Sequence, residues 1–280
     1  MKVKGVILAA GYGSRFLPVT RVVPKELFPI VDRPAIDLVV QEMAEAGIED
    51  ILVITSRRKK ALDDWFDRDL ELEAACGRER LAYPRVRATF VRQTAMRGTG
   101  HALLLARGFA GDDPVVVAYP DDLFGEPNCS AALIASWRET GCTVLSVGDL
   151  TGQDVSRYGV VDAVDEGGVM RVCGIVEKPP RGSEPSHLVS WGRYLYTPEV
   201  FEELERGLAT APEGKEFYAT DAIATLASRG RVVAKVVPSE RFDTGEKLGY
   251  LQTVIRHALD RPGLGDELRL WLREQLADKA

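Results

Sequence analysis

The sequence predicts an α/β fold, a mostly parallel central sheet flanked by helices with a mixed or antiparallel extension in its second half. Three observations carry this expectation. Up to about residue 150, short β-branched apolar runs alternate with stretches of helical spacing, the pattern of parallel strands covered on both faces. Beyond that point strand-like runs follow one another with only turns between them. Apolar residues make up 45% and charged residues 28% of the 280, and a chain of this length buries roughly three quarters of its unfolded surface.

The elements follow in order. Residues 3–9 read as a buried strand opening into a glycine-rich segment, and residues 36–46 have helical spacing that ends at Gly47, where a helix C′ glycine belongs. Residues 51–55 and 86–91 read as the next two strands. A helix over 100–107, a strand over 114–118, a helix over 130–139 and a strand over 142–147 complete the first half. Strands are expected over 158–163, 169–176 and 188–196, with a loop at 179–185 on composition alone. Pro198 opens a helix, Thr220 and Asp221 cap another running to Ser228, and residues 231–237 form a late strand. Two helical stretches close the chain, broken at Pro262-Gly263. No repeat or low-complexity segment interrupts it, so one domain over 1–280 is expected, with halves at 1–150 and 151–262 and a C-terminal helix over 263–280.

Composition excludes several classes. No apolar run approaches the roughly 20 residues of a membrane span, and Gly11, Gly13 and Arg15 interrupt the stretch where a signal peptide would need its apolar core. The expected compartment is the cytoplasm, with no membrane partner. Net charge is −6, from 36 basic and 42 acidic side chains without a basic stripe, which argues against a nucleic-acid partner. The one basic run, Arg57-Arg58-Lys59-Lys60, reads as a solvated helix start. Cys76, Cys129, Cys142 and Cys173 are scattered, as buried thiols of a reducing compartment would be.

The segment Leu8-Ala9-Ala10-Gly11-Tyr12-Gly13-Ser14-Arg15 carries the chemistry. A strand that feeds small residues and glycines exposes backbone N–H groups to which phosphates can come close. It is not a dinucleotide fingerprint, because Phe16 stands where the third glycine belongs, nor a Walker loop, which needs Gly-Lys-Ser/Thr. A structural turn is the plain alternative. Arg15 and Lys25 in one long loop off the first strand favour a polyphosphate site.

That segment, followed by Pro24-Lys25-Glu26-Leu27-Phe28-Pro29-Ile30-Val31-Asp32-Arg33-Pro34, resembles the signature of the sugar-1-phosphate nucleotidylyltransferases, most closely the bacterial uridylyltransferases of glucose 1-phosphate. The resemblance recurs at Gly98-Thr99-Gly100-His101-Ala102, Tyr119-Pro120-Asp121, Val176-Glu177-Lys178-Pro179, Gly192-Arg193-Tyr194 and Asp243-Thr244-Gly245-Glu246-Lys247-Leu248-Gly249-Tyr250. It implies a Rossmann-like fold of the nucleotide-diphospho-sugar transferase type, with a nucleotide-binding first half and a sugar-binding second half. It implies the substrates UTP and glucose 1-phosphate, the products UDP-glucose and pyrophosphate, and Mg²⁺.

The same resemblance implies residue roles. Arg15 and Lys25 are the catalytic cations. Ala9, Ala10, Gly11, Gly13, Glu26, Gln93 and Gly98 bind the nucleotide, with Gln93 on the pyrimidine edge. Gly159, Glu177, Lys178 and Gly192 bind the sugar phosphate, and Asp121 and Asp243 hold the metal. A magnesium ion bound by one or two carboxylates plus phosphates and water suits that pair. Asp122 is read as touching the sugar or pointing away, and Lys247 as a phosphate contact or a helix-surface lysine. His101 is expected to shape its turn, while His187 and His257 read as surface residues.

The chain departs from the family wording at Thr94, Thr99, Tyr119 and Tyr218, where Gly, Leu, Leu and Gln are usual. These positions border base or sugar, so a thymidylyltransferase making dTDP-glucose is the nearest alternative. Glu26, where thymidylyltransferases have Gln, and the closing motif favour the uridylyl reading. A non-catalytic sugar-nucleotide sensor should have lost Arg15, Lys25 or a metal carboxylate, and an oxidoreductase lacks its third glycine. Leu264, Leu268, Trp271, Leu272 and Leu276 share a helical face that packs on its own domain or on another subunit, and a homodimer or homotetramer is expected.

Overall fold

The computed structural model describes residues 1–77, 86–212 and 215–277. Strand β1 (Lys4–Leu8) leads into three single 3-10 turns at Ser14–Phe16, Val19–Arg21 and Lys25–Leu27. The hairpin β2 (Pro29–Ile30) and β3 (Arg33–Pro34) precedes α1 (Ala35–Glu45), β4 (Asp50–Thr55), α2 (Ala61–Phe66), α3 (Leu70–Cys76) and β5 (Arg87–Arg92). Then come α4 (Thr99–Leu104), α5 (Arg107–Ala110), β6 (Val115–Ala118), β7 (Asp122–Phe124), α6 (Cys129–Thr140) and β8 (Thr143–Asp149). The second half runs β9 (Gly159–Asp165), β10 (Met170–Glu177), β11 (Leu188–Tyr196), α7 (Pro198–Thr210), α8 (Ala219–Ala227), β12 (Val232–Val236), β13 (Arg241–Asp243), α9 (Lys247–Leu259) and α10 (Leu264–Ala277).

Nine strands form one sheet in the order β5-β4-β1-β6-β11-β8-β12-β10-β9. β5, β4, β1 and β6 are parallel, as the alternation of strand and helix requires. The antiparallel part is not only an edge extension, because β11 inserts between β6 and β8 in the middle of the sheet. Each central strand is buried on both faces. Val115 and Val117 point into a core shared with α4, α7 and α8, while Val116 and Ala118 point into one shared with α1 and α6.

Several local expectations change. The helix expected over 100–107 divides into α4 and α5, because Leu105 and Ala106 donate to Ala102 and Leu103 three residues back and tighten the turn. Thr220 and Asp221 lie inside the first turn of α8 and do not cap it. The Ala219 N–H is met instead by the Thr99 hydroxyl at 3.3 Å, from across the fold. α2 follows the basic run read as a helix start, whereas α3, the β2–β3 hairpin and the β7–β13 pair had no expected counterpart. Cys129 and Cys142 are buried as expected, but Cys76 and Cys173 are exposed, Cys173 on a strand near the sheet edge. His257 bonds the Thr253 carbonyl at 2.9 Å and packs its ring on Phe242, and His187 Nδ1 is buried, so neither is a plain surface residue. Among the described residues no helix is long and apolar enough to cross a membrane.

Candidate active site

The predicted site residues after β1, β5, β6 and β10 stand at the carboxyl ends of strands or on the loops beyond them, where α/β sheets place their ligands. Gly159 instead begins β9, and Gly192 lies within β11. Ala9 leaves β1 with its N–H on the Ile54 carbonyl at 2.8 Å, which starts the glycine-rich loop at the sheet edge. Gly13 takes the left-handed conformation (φ 66°), and the Thr20 hydroxyl closes the loop on its carbonyl at 2.8 Å. Arg15 rides the following 3-10 turn and pairs with Glu246 Oε1 at 3.0 Å. Both partners are largely exposed, so the pair is worth little and releases Arg15 readily to an anion.

Lys25 reaches Asp121 Oδ2, just past the end of β6. Burial alone would drive both groups toward neutrality. Their mutual attraction overrides it, holding the Asp121 carboxyl below its ordinary value and, with Glu26 assisting, the Lys25 ammonium above its own.

The Asp121 carbonyl accepts from the Thr244 N–H at 2.8 Å and its hydroxyl at 3.0 Å, which pins the end of β13 beside it. Asp243 ends that strand; its Oδ1 accepts from the Gly245 N–H at 2.9 Å and its Oδ2 lies 3.5 Å from Arg241 Nη2. A Cβ on Gly245 would lie 2.9 Å from Asp121 Oδ2 and 3.1 Å from Asp243 Oδ1. An oxygen of each carboxylate therefore flanks Gly245, where a side chain would crowd both. Two neighbouring hard oxygen donors fit a magnesium ion that takes its remaining ligands from phosphates and water.

Beside these groups lies a cavity of about 500 Å³. Arg15, Asp121 and Asp243 line it together with all four residues expected at the sugar phosphate, Gly159, Glu177, Lys178 and Gly192. The Glu177 carboxylate sits 3.2 Å from where a Gly159 Cβ would be, so glycine there makes its room. Lys178 holds a left-handed backbone (φ 49°), which costs a non-glycine residue roughly 1–2 kcal/mol.

A two-residue slip in the pairing of β11 with β8 frees Gly192 to turn toward β6. Its N–H donates to Asp122 Oδ2 at 2.7 Å and its carbonyl accepts from the Tyr119 N–H at 2.9 Å. Asp122 also takes the Arg241 guanidinium, Nε at 2.9 Å, and so holds the cavity wall rather than the sugar.

The nucleotide-side residues Ala9, Ala10, Gly11, Gly13, Gln93 and Gly98 stand outside this cavity lining, on the loops after β1 and β5. Gln93 is buried, with Nε2 shared between the Gly98 carbonyl and His101 Nδ1, both at 3.2 Å. Burial and then Arg97 lower the His101 pKa. Gly98 (φ 94°) lies so close to the Phe217 backbone that any Cβ would collide with its carbonyl.

The solvated reading of Lys59 fails here, and its partner is Glu26. Glu26 is only 1% exposed and its side chain turns from the nucleotide loop into the protein, onto Lys59 at 2.6 Å. Lys59, read as solvated, is 6% exposed. A run of four cations cannot reveal which one turns inward when its partner lies 33 residues away. Tyr194, quoted above only within a motif, also lines the cavity, as do Tyr196 and Arg241, which went unremarked. The two tyrosines occupy alternate positions of β11 and stack at 5.3 Å, so strand periodicity was the available signal.

Comparison with known proteins agrees with this geometry. The sequence model of the nucleotidyl transferase family matches residues 4–257. A UTP–glucose-1-phosphate uridylyltransferase of Staphylococcus epidermidis is 38% identical over 282 aligned positions, covering 97% of each chain. The UTP-bound UGPase of Acinetobacter baumannii superposes with a TM-score of 0.87 at 35% identity, over 98% of this chain and 99% of that one. A UDP-glucose pyrophosphorylase complexed with UDP-glucose gives 0.83 at 34%, over 93% and 100%. The chain belongs to the nucleotidyl transferase family, in the group that holds the UTP–glucose-1-phosphate uridylyltransferases.

Proposed function

We propose that this chain transfers the uridylyl group of UTP to glucose 1-phosphate, giving UDP-glucose and pyrophosphate. The observation that carries the reading is one cavity lined by Asp121, Asp243, Glu177 and Lys178, with the Lys25 ammonium paired to Asp121. An oxygen of the sugar phosphate attacks the α-phosphorus, the α–β bridging bond breaks, and the electron pair leaves on pyrophosphate. The nucleophile is already ionised, so the step needs no strong general base, only positioning and neutralisation of charge.

Arg15 exchanges Glu246 for the triphosphate and steadies the departing pyrophosphate. Lys25 draws the reacting phosphates together. Lys178 receives the sugar phosphate, while Glu177 and the backbone at Gly159 and Gly192 hold sugar hydroxyls. Gln93 and the backbone of Ala10 and Gly98 read the base. Mg²⁺ would be held by Asp121 and Asp243 and would neutralise charge on the phosphates. Asp243→Asn is expected to raise the magnesium midpoint of turnover at least about tenfold or abolish activity. An unchanged titration would remove Asp243 from the metal site.

The deciding experiment measures pyrophosphate release from Mg²⁺ and glucose 1-phosphate with UTP or dTTP in separate reactions. Release far faster with UTP supports the uridylyl reading. Preference for dTTP would keep the mechanism and overturn the base assignment. Thr99 bears on this choice, since its hydroxyl receives the Ala219 N–H and its departure from the family wording serves the start of α8.

The reading extends to assembly. Leu248, Leu251 and Ile255 of α9 and Leu264 and Trp271 of α10 are exposed apolar side chains on adjoining helices, and a second copy of the chain would cover them. Light scattering should give a dimeric or tetrameric mass, reduced by Leu251→Glu with Trp271→Glu; a wild-type monomer refutes it. The four unpaired cysteines suit a reducing cytoplasm.

A further inference from the structure

The pair Lys59–Glu26 is the feature of this fold that the reaction as described leaves unused. Lys59 Nζ lies 2.6 Å from Glu26 Oε1, with 7% of one side chain and none of the other exposed. Glu26 Oε2 is buried without a hydrogen-bond partner. A buried ion pair left half satisfied is a poor source of stability, since hydrophobic residues of the same volume would serve as well or better. Its placement explains it better. Glu26 follows Lys25 in the same 3-10 turn, and Lys25 in turn holds Asp121.

Lys59 comes from the turn that leaves β4, fixed by its N–H on the Ser56 carbonyl at 3.0 Å, while its neighbours Arg57, Arg58 and Lys60 are exposed. Four charges thus alternate in order, Lys59, Glu26, Lys25, Asp121, from the interior to the phosphate side. Glu26 acts electrostatically on Lys25, and Lys25 on Lys59, so the series is coupled throughout.

We infer that Lys59 is a positioning residue for the reaction: by engaging the Glu26 carboxylate from behind, it keeps Glu26 from competing with Asp121 and the phosphates for the Lys25 ammonium. Without Lys59 the Glu26 carboxylate would be a buried, uncompensated anion one residue from the catalytic cation. Lys25 would be drawn back toward it. The inference rests on Lys25 acting at the phosphates.

The test uses Lys59→Met in the full chain, which keeps side-chain length and removes the charge. We expect kcat to fall about 10- to 100-fold, the cost of a displaced catalytic group, with the KM for glucose 1-phosphate little changed. The double variant Glu26→Gln with Lys59→Met removes both charges and should regain most of that kcat. Any contact of Glu26 with the nucleotide would appear separately, in the KM for UTP. A folded Lys59→Met enzyme with wild-type kcat overturns the inference, and so does a double variant as slow as the single one. Should Lys59→Met not fold, the double variant decides alone: kcat within about tenfold of wild type supports the inference, and a loss as deep as that of Lys25→Ala overturns it. Near-normal turnover in Lys25→Ala would sink the underlying reading instead, whatever Lys59→Met does.

Discussion

Lys25→Ala is expected to lower kcat at least about 10²- to 10³-fold, the usual cost of removing one preorganised electrostatic group from a transition state. The ammonium is held against Asp121, and in the proposed reaction it would meet the negative charge that gathers between the attacking phosphate and the departing pyrophosphate. Alanine leaves Asp121 without its counter-charge, so repulsion of the triphosphate adds to the lost attraction. Because the interaction strengthens as the phosphates close on one another, kcat and kcat/KM for UTP should fall together. Steady-state pyrophosphate release measures both. The protein should still fold, with a lowered thermal transition, because the mostly buried Asp121 carboxylate loses its partner. Turnover within tenfold of wild type would take Lys25 out of the chemistry.

Glu42→Ala is expected to destabilise the fold by about 3–5 kcal/mol, the cost of stranding a buried charge. Glu42 accepts from Arg193 Nε at 3.0 Å and Nη2 at 2.7 Å, and from the Ser130 N–H at 3.0 Å and hydroxyl at 2.6 Å. Arg193 has no exposed surface, so alanine leaves its guanidinium uncompensated between α1, β11 and α6. The adjacent Gly192 belongs to the cavity wall, which links this ion pair to the shape of the sugar site. Urea unfolding reads the loss as a lower midpoint at unchanged slope. A loss under about 1 kcal/mol would show that water reaches Arg193 and compensates it.

The two cases differ in how far the sequence foretold them. Lys25 stands in a contiguous motif with Arg15 on one loop, and the loop's glycines and cations name its chemistry without any fold. Glu42 sits on the predicted helix over 36–46, where its charge alone suggests a solvated face. It turns inward because Arg193, 151 residues later, arrives on a strand that the sheet inserts beside β6.

The same division runs through the site. The residues expected at the sugar phosphate and metal were legible as motifs, and the fold brings Gly159, Glu177, Lys178, Gly192, Asp121 and Asp243 to one cavity. Glu26 stands in its motif without a sign of its partner. Its neighbours in sequence are those of a nucleotide loop, whereas its neighbour in space is Lys59, which looked like one of four solvent cations.

By itself the sequence determined the alternation of strands and helices, the parallel first half, the glycine-rich loop and the family. These follow from periodicity and from contiguous residues, which a chain expresses locally. Tertiary structure alone decided that β11 enters the middle of the sheet, that Thr99 meets the start of α8, and that Asp121 and Asp243 flank Gly245. It also decided which charges of Glu26, Lys59, Glu42 and Arg193 are buried. The reason is physical: burying a charge requires its partner at hydrogen-bond distance, and that partner is chosen by the packing of distant elements rather than by adjacent residues.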